Sequence, residues 1–179
     1  MTTVMPAPVP TETHVALRDG RHVLIRALRP TDAQAQRRFI ERLPPEDRRA
    51  RFLCTMSEVD DALLALLMAP DARGPTAVVA LTPGENGEDI VGVARLAQAG
   101  DTPGAEISVS VDAGWRGAGL GTALFRALCM LARRRGITRL WSMDAASNAG
   151  MHGFAKSLGA HCRRDPDDVH QVIYELELH

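Results

Sequence analysis

The chain has 179 residues, of which 45% are hydrophobic and 24% are charged. This length fits a single domain, large enough to bury a core without disulfides or a metal. Lys and Arg total 21 against 22 Asp and Glu, giving a formal net charge of -1. Balanced charge argues against a surface that holds nucleic acid or an anionic membrane.

Cysteine spacing and hydropathy narrow the class of protein further. Cys54, Cys129 and Cys162 show no C-x-x-C spacing, which argues against a disulfide framework or a zinc knuckle. No pair of His, Asp or Glu has the spacing of metal ligands in a supporting context. The apolar stretches are too short to span a bilayer, and the first residues lack the features of a secretory signal. We expect a cytoplasmic enzyme or binding domain with no metal and no membrane or nucleic-acid partner.

The N-terminal region is predicted to contain a disordered lead followed by a hairpin. Residues 1–13 hold three prolines among small and polar residues, so we expect one ordered domain over 14–179. Two β-prone runs, at 14–18 and 21–26, flank the dipeptide Asp19-Gly20. Asp-Gly between such runs is a strong hairpin signal.

Helices and a second hairpin are predicted next. Thr31 or Asp32 is the expected cap of a helix that runs to about Arg42, where two prolines stop it. A shorter helix is expected over 46–52.

Ser57 and Asp60 have the spacing of a capping box and precede a Leu-rich helix that ends near Met68. Strands at 76–81 and 90–97 are joined by a turn rich in Gly and Pro, so they are predicted to form a hairpin.

The C-terminal half alternates strands and helices. The strand at 105–111 places apolar side chains on one face and Glu106, Ser108 and Ser110 on the other. The longest helix is predicted over 118–135, with leucines at helical spacing. The remaining predicted elements are a strand at 138–143, a helix at 148–158 and a final strand at 169–178. The sum is a mixed α/β chain of six or seven strands and about four helices.

The most informative stretch lies between the strand at 105–111 and the long helix. It carries Arg116 and three alternate glycines, Gly117, Gly119 and Gly121. Glycines let a backbone approach a ligand closely, and a helix N-terminus adds partial positive charge. This pattern favours a site for a pyrophosphate, to which an arginine adds charge-assisted hydrogen bonds.

Several kinds of loop compete for this pattern. A Walker A loop requires Gly-Lys-Ser/Thr, which is absent here. A dinucleotide loop is favoured by Asp144 downstream, but the glycines come too late in the chain for a doubly wound sheet. The preceding strand also alternates, whereas a strand buried on both faces is apolar throughout. A coenzyme A pyrophosphate loop fits both features, and a glycine turn needed only for packing is the simplest alternative.

These residues resemble a known family. Arg116-Gly-Ala-Gly119-Leu-Gly121 is similar to the Q/R-x-x-G-x-G/A motif of the GNAT N-acetyltransferase superfamily, and the order of elements around it is similar too. Upstream, the stretches 17–21 and 25–32 and the dipeptide Arg51-Phe52 resemble the start of the acetyltransferase domain in bacterial Pat-type protein lysine acetyltransferases. The likeness covers about residues 15–178.

The resemblance implies a GNAT fold of the α/β (α+β) class: a mixed, mostly antiparallel sheet with a splayed strand pair that holds acetyl-coenzyme A. In that family, free N–H groups of the strand before the loop pair with the pantetheine arm, and loop amides surround the pyrophosphate. An Asn-x-x-Met stretch touches the coenzyme arm, although Asn148 also fits a simple helix N-cap. The residues implied to bind the coenzyme are Val109, Val111, Arg116, Gly117, Ala118, Gly119, Leu120, Gly121, Thr122, Asn148 and Met151.

Glu106 is the candidate general base. It resembles the glutamate in a strand of Pat-like enzymes and lies off the apolar face. The chemistry needs such a group because a lysine amine, with a pKa near 10.4, is mostly protonated at neutral pH and cannot attack a thioester. A solvated strand glutamate without a catalytic role is the alternative.

One departure from many relatives concerns the leaving thiolate. Ala155 stands where they carry a tyrosine that acts as general acid, and Tyr174, the only tyrosine, is expected in the core. Pat-type relatives also lack that tyrosine, so its absence supports the resemblance to the Pat-type branch. The proton donor for the leaving thiolate is left unassigned. Water suffices in principle, because a thiol with a pKa near 8.5 leaves readily.

The resemblance implies acetyl transfer from acetyl-coenzyme A to an amine, with a protein lysine as the leading acceptor. A small-molecule amine is the second candidate, since the chain is too short for the partner domains of many Pat-type proteins. A non-catalytic acyl-coenzyme A sensor and a nicotinamide-dependent oxidoreductase remain open. Extra strand pairing would allow a homodimer.

Overall fold

A single eight-stranded sheet organises the part of the chain that the structure describes. This computed structural model describes residues 12–52, 59–69, 71, 73–85 and 87–179, with the backbone alone at 49–52. The strand order is β1-β2-β3-β4-β5-β6-β8-β7. The strands are β1 (Thr13–Ala16), β2 (His22–Ala27), β3 (Ala77–Gly84), β4 (Gly87–Ala97), β5 (Gly104–Val111), β6 (Arg139–Ala145), β7 (His161–Arg164) and β8 (Gln171–Glu177).

The pairing changes direction once across the sheet. Strands β1 to β5 pair antiparallel, as do β6 with β8 and β8 with β7. Only the pairing of β5 with β6 is parallel among these strands. Parallel neighbours need a crossover, and a long helix between β5 and β6 supplies it.

The described ranges contain five α-helices, and helices pack on both faces of the sheet. They are α1 (Ala33–Arg42), α2 (Pro45–Phe52), α3 (Asp61–Met68), α4 (Leu120–Arg134) and α5 (Ala149–Ser157), with short 3-10 turns at Pro30–Asp32 and Ala113–Trp115. One core cluster joins α1 and α3 to β3 and β4 and includes Phe39, Ile40 and Val79. The other lies under α4 and includes Leu124, Leu128 and Val78. Alternate residues of one strand, Val78 and Val79, thus fill opposite cores.

Helix α4 packs against the middle of the sheet at a glycine of β4, Gly92, whose missing side chain makes room for it. A Cβ built on Gly92 would lie 2.7 Å from Leu124 Cδ1, well inside van der Waals contact. The side chain of Leu120 reaches the same position, at 3.4 Å. This contact fixes the start of α4, and with it the loop that precedes the helix, against the sheet.

Most predicted elements are confirmed, with shifted ends. The predicted disordered segment 1–13 overlaps β1 by one residue, because Thr13 pairs with Ile25, and residues 1–11 lie outside the described ranges. The strand β7 is additional, so the sheet has eight strands rather than six or seven. Helix α4 begins at Leu120 rather than at 118, because Gly119 is left-handed, with φ +91°.

Two predicted helix caps differ in detail. Asp60 itself caps α3, its carboxylate accepting from Leu63 N–H at 2.6 Å, whereas Ser57 lies outside the described residues. Asp32 occupies the N-cap position of α1 but makes no side-chain hydrogen bond to that helix. Its carboxylate instead accepts hydrogen bonds from the Arg26 side chain and the Arg29 backbone N–H.

Arg26 and Asp32 form a buried ion pair between β2 and the start of α1. Their side chains are 4% and 8% exposed, and the two donor–acceptor distances are 2.7 and 2.8 Å. The N–H of Arg29 also donates to Asp32, at 2.7 Å. Burial by itself would raise the pKa of Asp32, but these hydrogen bonds outweigh it and hold the pKa below its usual value.

We predict that Asp32→Asn destabilises the fold by about 3 kcal/mol, because it leaves the buried Arg26 guanidinium with only the half-exposed Glu88 carboxylate, 3.4 Å away, as a counter-charge. The wild-type pKa of Asp32 is lowered, so the stabilisation is complete above the unfolded-state pKa and declines as pH falls through the folded one. Urea unfolding at several pH values measures both effects. Asp101→Asn, which removes the charge of a fully exposed carboxylate paired with Arg73, is the control. Equal unfolding midpoints for the two variants would contradict the prediction.

Candidate functional site

Strands β5 and β6 pair over only three residues and then separate. The parallel pairs are Gly104 with Arg139, Ala105 with Leu140 and Glu106 with Trp141. Beyond Glu106 each strand keeps its outer neighbour, β5 pairing with β4 as far as Val111 and β6 pairing with β8. A wedge-shaped gap therefore opens in the middle of the sheet, with Glu106 at its vertex.

The backbone of β5 presents alternate peptide groups to this gap. Asp112 N–H donates to Val91 O at 3.0 Å, which fixes the alternation along β5. In an antiparallel pair every second residue turns its N–H and C=O toward the partner, so those of Val109 and Val111 point away from β4. Their side chains pack against the core under α4, as expected. The gap therefore has a wall of backbone hydrogen-bonding groups.

The loop after β5 holds a series of unused backbone donors. Gly117 and Gly119 have φ values of +75° and +91°, a region that favours glycine. None of the N–H groups from Gly117 to Thr122 donates a hydrogen bond of normal geometry to another described residue. The N-cap Gly119 has no side chain to satisfy the first turn of α4. These amides and the positive end of the helix form a concave surface suited to an anion.

Side chains in this loop play different parts. Ala118 and Leu120 are 5% and 1% exposed, so they are core residues that offer a ligand only their backbone. The missing side chain of Gly121 lets the ring of Phe154 lie 3.5 Å from where its Cβ would be. Thr122 is partly buried in the first turn of α4.

Arg116 already has a partner on another helix. Its guanidinium forms an ion pair with Asp47 of α2, and its Nε lies 3.4 Å from Val111 O. Half of the Arg116 side chain is exposed, so an incoming anion can reach it. Asp47 would compete with that anion for the arginine.

A second arginine lies on the glycine loop. A Cβ built on Gly119 would be 3.2 Å from Arg18 Nε, and Arg18 N–H donates to Ala118 O at 3.0 Å. The turn that carries Arg18 is further held by Arg21, whose guanidinium stacks on Trp115 at 3.9 Å. Sequence reasoning placed Arg18 only in an upstream motif. The contact joins residues about a hundred positions apart, and no local pattern signals it.

Asn148 acts as the N-cap of α5. Its Oδ1 accepts from Met151 N–H at 3.0 Å, and its Nδ2 donates to Asp144 at 3.1 Å. The N-cap interpretation is confirmed, whereas contact of Asn148 and Met151 with a coenzyme stays a prediction. One Nδ2 hydrogen remains for a ligand.

An open pocket lies beneath the gap between β5 and β6, with a volume of about 420 Å³ when the adjoining open solvent is included. Met151 and Phe154 of α5 line it, together with Tyr174 of β8. Tyr174 is 4% exposed, as expected of a core residue, and burial raises its pKa, so its hydroxyl stays protonated at neutral pH. Ala155 lines the same wall and leaves room that a larger side chain would fill.

Glu106 and its neighbours line the opposite face of the sheet. The carboxylate of Glu106 is exposed, and no described residue hydrogen-bonds to it or pairs with it. Ser108 and Ser110, on the same face by alternation, border a second, smaller cavity against α1. Ser108 borders both cavities, so a single strand separates the two sides.

The described residues offer no sign of a reactive cysteine, a metal site or a membrane-spanning helix. Cys129 is buried within α4, and burial raises its pKa, which fits an inert thiol. No cluster of three or more metal-ligating side chains occurs among the described residues. None of the described helices has the length and apolar character needed to cross a membrane.

Comparison with known proteins identifies the family. The family model described as "Acetyltransferase (GNAT) family" matches residues 36–160. The acetyltransferase PA5475 of Pseudomonas aeruginosa is 40% identical over 163 residues, which cover 91% of this chain and 88% of that protein. The chain belongs to the GNAT acetyltransferase family.

Solved structures show the same fold. The GNAT domain of S. lividans PAT superposes with a TM-score of 0.84 at 22% identity, covering 93% of this chain and 97% of that one. A cAMP-binding acyltransferase from Mycobacterium smegmatis matches with a TM-score of 0.64 at 24% identity, covering 94% of this chain and 48% of that one. The GNAT fold predicted from the sequence is therefore confirmed, with eight strands and five α-helices in the described residues.

We predict that Gly119→Ala costs about 1–2 kcal/mol of stability, because alanine is strained at φ +91° and its Cβ would crowd Arg18. Gly153→Ala is the matched control. Gly153 lies inside α5, where a Cβ meets nothing within 4 Å, so alanine should stabilise the protein by about 0.5–1 kcal/mol. Urea denaturation measures both changes, and a shift in the same direction for both variants would contradict the prediction.

Proposed function

We propose that this GNAT protein transfers the acetyl group of acetyl-coenzyme A to an amine, and that its acceptor is a lysine side chain of a protein. The observation that carries the proposal is the set of unused amides from Gly117 to Thr122 at the mouth of the gap between β5 and β6. The unused amides suit the coenzyme's pyrophosphate, and the gap suits its extended pantetheine arm.

The coenzyme is proposed to bind by its phosphates first. The amides of residues 117–122 would donate to the pyrophosphate, with added charge from Arg116 and Arg18. The pantetheine amides would pair with the peptide groups of Val109 and Val111, as an added strand does at a sheet edge. Asn148 and Met151 would flank the arm from the start of α5.

The proposed chemistry is direct attack of the amine on the thioester. Glu106, at the vertex of the gap, accepts a proton from the ammonium group, directly or through a water, so that the nitrogen has a free electron pair. The nitrogen bonds to the acetyl carbonyl carbon, the carbon–sulfur bond breaks and the sulfur leaves with its electron pair. The thiolate takes a proton from water, which suffices for a thiol with a pKa near 8.5. No metal takes part in this scheme.

The lysine acceptor is supported by the Pat-like stretches at 17–21 and 25–32. The buried pair of Arg26 and Asp32 gives the second stretch a structural role, and Arg18 gives the first a place at the coenzyme loop. A small-molecule amine acceptor and a non-catalytic acyl-coenzyme A sensor are the alternatives. Tight binding of the coenzyme without amine-dependent release of thiol would favour the sensor. The proposed compartment is the cytoplasm.

We predict that Glu106→Gln lowers kcat about 100- to 10,000-fold and leaves the Kd for acetyl-coenzyme A nearly unchanged, because the amide cannot accept the amine's proton. Thiol release with a panel of lysine peptides and small amines measures turnover, and calorimetry measures binding. Glu177→Gln, at another exposed strand glutamate, is the control and should keep full activity. Full turnover in the Glu106 variant would remove this residue from the mechanism.

We predict that Asp47→Asn tightens coenzyme A binding, by up to about fivefold, because it removes the carboxylate that competes for Arg116. Calorimetry at two salt concentrations measures the change, which should shrink as salt rises. Asp61→Asn, which removes an exposed partner of Arg37 away from the loop, should leave Kd unchanged. Weaker binding in the Asp47 variant would contradict the competition.

A further inference from the structure

Trp141 is a large apolar side chain that lies outside the hydrophobic cores. It follows Leu140 in β6, and Leu140 is buried in the core under α4. Because side chains alternate along a strand, Trp141 points to the opposite face of the sheet. It is partly exposed and belongs to neither core cluster of the described residues. Its indole therefore has surface left for a ligand.

The strand register places Trp141 between two carboxylates. It is the parallel partner of Glu106 on β5 and the antiparallel partner of Glu175 on β8. Paired residues of neighbouring strands share a face of the sheet, and the strands lie roughly 5 Å apart. The three side chains therefore form one row across the sheet, and this row begins at the vertex of the gap between β5 and β6.

The two carboxylates of this row differ in what they bind. Glu175 accepts two hydrogen bonds from the guanidinium of Arg163, each at 3.3 Å, so its charge has a partner. Glu106 has neither a hydrogen bond nor an ion pair with a described residue. A cation that approaches the row is therefore attracted to the space between Glu106 and Trp141, rather than to the side of Glu175.

An ammonium group on an unbranched alkyl chain has the chemistry that fits this space. The face of a tryptophan ring attracts a cation through its quadrupole, more strongly than any other side-chain ring does. The same ring can contact the methylenes that carry the amine. A free α-amino acid fits less well, because its own carboxylate would come close to Glu106.

We propose that Trp141 is a specificity residue for the acceptor: its indole face contacts the ammonium group and the adjoining methylenes of a primary alkylamine that enters beside Glu106. The inference rests on the proposed acetyl transfer, and it narrows the acceptor to cationic alkylamines, of which a lysine side chain is one. Trp141 exchanges no proton in the chemical step.

Two substitutions separate the aromatic face of Trp141 from its apolar bulk. Trp141→Phe keeps an aromatic face, whereas Trp141→Leu keeps apolar character alone. The control is Met143→Ala, at an exposed apolar side chain two residues farther along β6 on the same face. Each protein is assayed for kcat and KM with Nα-acetyl-lysine methylamide, for the KM of acetyl-coenzyme A and for its melting temperature.

We expect Trp141→Leu to raise the KM for the lysine diamide about 5- to 30-fold, and Trp141→Phe to raise it about two- to threefold, because phenylalanine keeps a weaker quadrupole. The kcat and the KM for acetyl-coenzyme A should stay within about twofold of the wild type, since the contact is made with the acceptor and is kept in the transition state. Met143→Ala should match the wild type.

Tryptophan fluorescence measures the same contact without turnover. The chain has two tryptophans, Trp115 and Trp141, so Trp115→Phe leaves Trp141 as the only indole. With coenzyme A bound in place of acetyl-coenzyme A, the lysine diamide should change the emission of this variant in a saturable way. Trp141→Phe, which retains Trp115, should show no saturable change under the same conditions.

An unchanged acceptor KM in Trp141→Leu would overturn the role of Trp141 and leave the acetyl transfer standing. Equal rises in the KM values of acceptor and coenzyme, with a lower melting temperature, would do the same, as would a Trp141 emission that does not respond to the acceptor. Absence of transfer from the wild-type protein to every amine of the panel would overturn the proposed function and this inference with it.

Discussion

The separation of β5 from β6 after Glu106 is the constraint on which the rest of the structure depends. A sheet loses hydrogen bonds wherever two neighbouring strands part, and exposed peptide groups must then find other partners. Here the cost is limited because each strand keeps its outer neighbour, and because α4 and α5 pack beneath the gap. The opening leaves peptide groups of Val109 and Val111 facing a space, and it directs the chain end of β5 into the glycine loop.

Local patterns predict the parts of this arrangement that depend on neighbouring residues. The alternation of β5 places Glu106, Ser108 and Ser110 on one face, and the glycines at 117 and 119 indicate a loop whose backbone a ligand can approach closely. The strand β7 escapes prediction because all four of its residues, His161–Arg164, are exposed and show no alternation of apolar and polar side chains. The start of α4 is displaced because Gly119, which is compatible with a helix in sequence, adopts a positive φ.

Contacts between distant parts of the chain could not be predicted from the sequence. The pairing of Arg116 with Asp47 and the packing of Arg18 on Gly119 join residues 69 or more positions apart, and no spacing rule connects them. Gln36 is an intermediate case. Its place beside Phe39 and Ile40 on one face of α1 is visible in the sequence as a polar residue at an apolar position, but only the fold shows that its Oε1 is enclosed without a hydrogen-bond partner among the described residues.

The two edge strands of the sheet limit how readily separate molecules can associate edge to edge at high concentration. Both edge strands, Thr13–Ala16 and His161–Arg164, are only four residues long, and the second carries two adjacent arginines. Short edges are poor templates for an incoming strand because they offer few hydrogen bonds, and at the second edge a further copy would also bring arginines together. The short edge strands therefore oppose open-ended growth of the sheet into fibres.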